Sequence, residues 1–99
     1  MKTRIDHLLA CVGEECGEIQ QIIGKSIRFG LFDCHPVTKE VNLDALEREI
    51  HDLIAVYELL RGCVGGNRAL RDTLLEKKKK RVLHYMEYAR ERGELEKAL

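Results

Sequence analysis

Apolar side chains return every three or four residues at the start of the chain. Ile5, Leu8, Leu9, Val12, Cys16, Ile19, Ile23 and Ile27 line up as one stripe, the period of a helix that turns one face to a partner. This predicts a first helix that starts near Thr3 or Asp6 and ends by Gly30, where a glycine suits a helix C-terminus. A second stripe runs through Leu43, Leu46, Ile50, Leu53, Ile54, Tyr57 and Leu60, with Asn42 as N-cap, Asp44 in the first turn and Gly62 as the expected stop. A third follows through Leu70, Leu74, Val82, Tyr85 and Ala89, capped by Asn67 and closed by Gly93.

Between the first two stripes, Leu31 to Val41 holds the only proline, Pro36, and no helical period. It reads as a loop long enough to cover a site or to join subunits. Gly13 and Gly17 interrupt the first helix, and each costs about 1 kcal/mol relative to alanine in a helix interior. A close approach by another helix backbone would give them a purpose. No stretch has the alternation of a strand. The expectation is a single all-α domain over residues 1–99, a bundle of three main helices. It has more apolar stripe than one short chain can bury, so a second copy should complete it.

With 44% hydrophobic and 34% charged residues in 99, the composition is that of a folded chain rather than a disordered tail. No apolar run approaches the roughly 20 residues that span a bilayer, and Met1 to Asp6 leads into no signal-peptide core. A cytoplasmic protein without a membrane partner is expected. Cys11, Cys16, Cys34 and Cys63 lack the paired spacing of a zinc site. Cys34-His35 offers two ligands where a closed zinc site needs about four, so reduced thiols are expected.

The formal charge is zero, but it is unevenly distributed. Residues 1–60 carry six Lys/Arg against eleven Asp/Glu, and residues 61–99 carry eleven against six. An acidic first half argues against nucleic acid as a partner, since an extended basic surface does that binding.

The acidic residues of interest fall in two sets, Glu14, Glu15 and Glu18 on the first helix and Glu49 and Asp52 on the second. At about 100° per residue, both sets border the apolar stripes and can converge where the helices pack. Carboxylates brought together repel and raise one another's pKa unless a hard divalent cation neutralises them. The plainer alternative is a solvated acidic face. Two acidic pairs at the same three-residue separation, both beside an apolar seam, favour the cation.

Mg²⁺ commonly meets phosphates. Lys25, seven residues past Glu18, and Arg28, one turn on, are candidates to contact substrate oxygens. Of the run Lys77 to Lys80, only one or two side chains can aim inward, and Lys80 is taken as that one.

Glu14-Glu15-Cys16-Gly17-Glu18 followed by Glu49-Ile50-His51-Asp52 resembles the signature of the MazG-like all-α nucleoside triphosphate pyrophosphohydrolases. Lys25 to Gly30, Asn42 to Leu46, and Lys80 to Val82 with Tyr88 to Arg90 are similar to small phage-type members. The resemblance implies hydrolysis between the α and β phosphates of a nucleoside triphosphate, with Mg²⁺ or Mn²⁺ held by Glu15, Glu18, Glu49 and Asp52. It implies a catalytic role for Glu15 with Glu14 as an auxiliary, base contacts near Ile5 and Leu8, and a dimer or tetramer.

Two features depart from the pattern. Thirty residues separate Glu18 from Glu49, and His51 stands where many members have a small residue. The base and sugar are not written in any periodicity, and a purine deoxynucleotide such as dGTP or dATP is the expectation. HD-type phosphohydrolases need further separated histidines and aspartates on a longer scaffold. A di-iron bundle needs Glu-x-x-His, which is absent. The rival from another class is a non-catalytic helical oligomerisation or adaptor module with an acidic protein-binding patch.

Overall fold

A computed structural model describes residues 1–65 and 72–96. Among them are three helices, α1 (Arg4–Phe29), α2 (Asn42–Gly65) and α3 (Asp72–Glu91), and no named strand. The chain divides into two compact units, Met1–Arg68 and Ala69–Leu99. None of the described helices is long and apolar enough to cross a membrane.

In the first unit, α1 begins at a capping box. Thr3 Oγ1 accepts from the Asp6 amide at 3.0 Å, and Asp6 Oδ2 accepts from the Thr3 amide at 3.2 Å, which satisfies two otherwise orphaned donors. The helix ends at Gly30, at φ 106° and ψ 145°, whose N–H reaches Ser26 O. A side chain would be strained there.

The connection to α2 is folded. Asn42 N–H donates to Asp33 O, His35 N–H to Glu40 O and Leu43 N–H to Leu31 O, at 2.9, 2.9 and 3.0 Å, and Cys34 and Val41 form an isolated antiparallel bridge. At its tip, His35 Nδ1 accepts the N–H groups of Val37 and Thr38 at 3.1 and 3.2 Å.

Asn42 takes a different part from the expected cap. It lies inside the first turn of α2, 7% exposed, and its side-chain amide donates to Gly30 O at 2.9 Å. That bond ties the start of α2 to the end of α1. The second helix also continues through Gly62 to Gly65: an isolated glycine weakens a helix without having to end it.

The seam between α1 and α2 differs from the stripes read in the sequence. On α2 the buried positions are Asn42, Ala45 and Glu49, one face at helical spacing. On α1, Leu8, Glu15, Glu18, Ile19, Ile22 and Ser26 are half-buried, while Ile5, Leu9, Ile23 and Ile27 remain exposed. The carboxylates therefore stand within the seam, and part of the apolar stripe faces outward. A Cβ at Gly13 or Gly17 would meet nothing within 4 Å, so the close helix approach expected there is not made within the described chain.

The second unit contributes α3. Its C-terminus is closed by Gly93 at φ 77°, with Glu94 N–H bonded to Ala89 O and Gly93 N–H to Arg90 O at 2.9 and 3.0 Å. This is the paired pattern of a Schellman stop. The expected cap Asn67 and the stripe position Leu70 lie outside the described residues.

Candidate carboxylate site

Packing of α1 on α2 brings Glu15, Glu18 and Glu49 together, so that one carboxylate oxygen from each lies within 4.8 Å of the others. Glu15 and Glu18 share a face because they are three residues apart on α1. Glu49 meets them from α2 at the end of the Asn42–Ala45–Glu49 face.

Glu49 is 6% exposed. Its Oε1 accepts from Arg48 Nη1 at 2.8 Å, while its Oε2 and the Oε2 of Glu15 are buried without a hydrogen-bond donor. Buried carboxylate oxygens without a donor are costly. Oxygen-only ligands in close array also match the ligand preference of Mg²⁺ or Mn²⁺.

Titration behaviour follows from the crowding. The Glu18 carboxyl is pushed up to about 7, first by hydrogen bonding with Glu49 and then by the charges of Glu49 and Glu15. Burial raises the Glu15 carboxyl, and the charges of Asp52 and Glu49 add to the effect. Once all are ionised, the crowded carboxylates repel one another.

Asp52 is exposed and falls outside the 4.8 Å group, although its charge is felt by Glu15. Glu14 is also exposed and acts on Glu15 and Glu18 through its charge alone. His51 points elsewhere, its Nδ1 bonded to Glu47 O on its own helix at 2.8 Å.

A cavity of about 770 Å³ is lined by Ile22, four residues past Glu18, and by Arg48, next to Glu49, but by none of the three carboxylates themselves. Its lining also includes Lys25, Arg28, His35 and Ala45. Lys25 and Arg28, the expected phosphate contacts, are thus on its wall. Ile5 and Leu8 lie toward the other end of α1, with the carboxylates between. From Leu8 to Lys25 the helix rises roughly 25 Å. Lys80 belongs to the second unit and is exposed on α3.

Sequence reasoning passed over Arg48 and Glu40. The Arg48 guanidinium donates to Glu40 through Nε at 3.1 Å and Nη2 at 3.0 Å, as well as to Glu49. Its hydrogen bond with Arg48 holds the Glu40 carboxyl below the usual range. The available signal was an arginine next to a candidate ligand, but its partner eight residues away becomes evident only once the loop is folded. Compared with protein-family models, curated proteins and solved structures, the chain matches none.

Proposed function

We propose that this protein hydrolyses a nucleoside triphosphate to the monophosphate and pyrophosphate in a reaction dependent on Mg²⁺ or Mn²⁺, and that it serves in nucleotide-pool control. The observation that carries this reading is Glu49. Its carboxylate is almost wholly buried, has one oxygen without a donor, and faces two further glutamates. A divalent cation offsets the repulsion that such an arrangement otherwise creates.

Glu15, Glu18 and Glu49 would hold the ion, with Asp52 at the margin. When bound, the ion supplies positive charge to phosphate oxygens and lowers the pKa of a coordinated water. The remaining work belongs to the chain. Lys25 and Arg28 present cations to the substrate from the cavity wall, orienting the departing pyrophosphate and drawing its charge away from the reacting phosphorus. A volume of about 770 Å³ is within the range of small-molecule sites. Lys25 and Arg28 would take the terminal phosphates, and because Leu8 lies roughly 25 Å from Lys25 along α1, longer than one extended nucleotide, the base would stop short of Leu8 and Ile5.

The choice of the α–β linkage rests on the resemblance of Glu14 to Glu18 and Glu49 to Asp52 to the MazG-like signature. A homo-oligomer belongs to the same proposal. It is supported by the exposed Leu9, Ile23 and Ile27 of α1, at 53, 42 and 80% exposure, which a second copy would cover. Turnover in ¹⁸O-labelled water tests the chemistry. The label should appear in the nucleoside monophosphate, and its appearance in pyrophosphate instead would move the attack to the β-phosphorus and overturn the assignment.

A further inference from the structure

If Glu15, Glu18 and Glu49 hold a cation, as proposed above, Glu49 has to be aimed at it. A glutamate has three rotatable bonds, and repulsion from two other carboxylates would turn a free one away. Arg48 bonds Glu49 Oε1 at 2.8 Å, and its other edge is fixed by two bonds to Glu40 at 3.0 and 3.1 Å. Glu40 lies in the connection between α1 and α2, where its backbone carbonyl accepts from His35 N–H at 2.9 Å. The guanidinium is planar and forked, so anchoring one edge sets the direction of the other.

We infer that Arg48, anchored by Glu40, is a positioning residue. It fixes Glu49 through Oε1 so that Oε2 is the oxygen offered to the cation beside Glu15 and Glu18. The same chain of contacts links the cavity wall to the carboxylates, because Glu40 and Arg48 both line the cavity.

The sign of one substitution separates positioning from simple charge. Arg48→Met removes a positive charge next to a cation ligand, so electrostatics alone would tighten Mn²⁺ binding. Loss of positioning weakens it, by about 10- to 100-fold for partners that orient a metal ligand. Arg48→Lys retains the charge and loses the fork. Charge alone leaves its affinity unchanged, whereas positioning again weakens it.

The experiment is titration of Mn²⁺ into the full chain without nucleotide, read from the electron paramagnetic resonance signal of the free ion. Circular dichroism of each metal-free variant reports whether it folds. The expected result is at least tenfold weaker binding in both variants, and no further loss when Arg48→Met is added to Glu49→Gln. Should Arg48→Met fail to fold, Arg48→Lys decides. Parental or tighter Mn²⁺ affinity in the folded Arg48 variants overturns the positioning role while leaving the cation site intact. A parent chain that binds no Mn²⁺, or a Glu49→Gln variant that binds as well as the parent, overturns the cation site and this inference with it.

Discussion

Glu18 and Glu49, on different helices, bring carboxylate oxygens within 4.8 Å of each other, and hydrogen bonding between the two carboxyls is the first cause of the rise of the Glu18 pKa to about 7. Below about 4.5, the ordinary value of the group, the folded and unfolded chains both hold the proton and the contact carries no penalty. As pH rises from about 4.5 through about 7, the unfolded chain releases the proton while the folded chain keeps it. Stability is lost across that window. The raised Glu15 carboxyl acts in the same sense. The expected outcome is a Tm in EDTA that falls from pH 4.5 to 7.5, with a shallower fall in Glu18→Gln. A Tm that climbs steadily over this range in the parent chain would contradict the contact.

Cation binding should reverse that loss. Above pH 7 the ionised carboxylates are free to coordinate, so Mg²⁺ or Mn²⁺ should raise Tm more at pH 8 than at pH 6, and binding at pH 6 should release a proton. Saturation to a hundred times Kd corresponds to about 2.7 kcal/mol. Differential scanning fluorimetry at the two pH values checks the direction. Equal shifts at both, or none, would count against coordination by these groups.

The two adjacent glutamates of α1 should behave differently when replaced. Glu15 carries a buried oxygen without a donor, whereas Glu14 is exposed and contributes charge alone. Glu15→Gln should lower kcat by about 10²-fold or more. Glu14→Gln should lower it severalfold, because an exposed charge is screened. Equal losses in steady-state assays would show that Glu14 reaches the reacting atoms.

Substitutions at glycine separate backbone need from mere presence. Gly30→Ala places a side chain at φ 106° and should destabilise by about 1–2 kcal/mol. Gly17→Ala meets open space in an α-helix and should stabilise by about 1 kcal/mol. Chemical denaturation measures both. A Gly17→Ala variant that is less stable and also loses self-association would show that a second copy approaches α1 at that point.

The residues that were legible in the sequence are those whose signals are local. Thr3 with Asp6 set the start of α1, and Gly30 and Gly93 set two helix ends, because capping depends on neighbours within a turn. The carboxylates could be found because their three-residue spacing fixes a common face. Which face turns inward was harder to read. The seam admits Glu15, Glu18 and Glu49 while leaving Ile23 and Ile27 exposed, and a hydrophobic stripe alone does not reveal that polar groups will be taken into the contact. Asn42 and the Glu40–Arg48 pair depend on a loop that closes on itself through Leu31, Asp33 and His35, and neither period nor propensity encodes those bonds. Gly62 did not end α2, which runs on to Gly65, because one glycine weakens a helix without having to terminate it.

Pyrophosphate release from a panel of ribo- and deoxynucleoside triphosphates, with Mg²⁺ or Mn²⁺ and with EDTA, tests the central claim most directly. The parent chain should be compared with Glu15→Gln, Glu49→Gln and Asp52→Asn. The expected result is release that requires the cation, is strongest for a purine deoxynucleotide, and is abolished in Glu15→Gln and Glu49→Gln. No release from any nucleotide by the folded parent chain, with or without cation, would contradict the claim and make the acidic cluster a binding surface of an adaptor module.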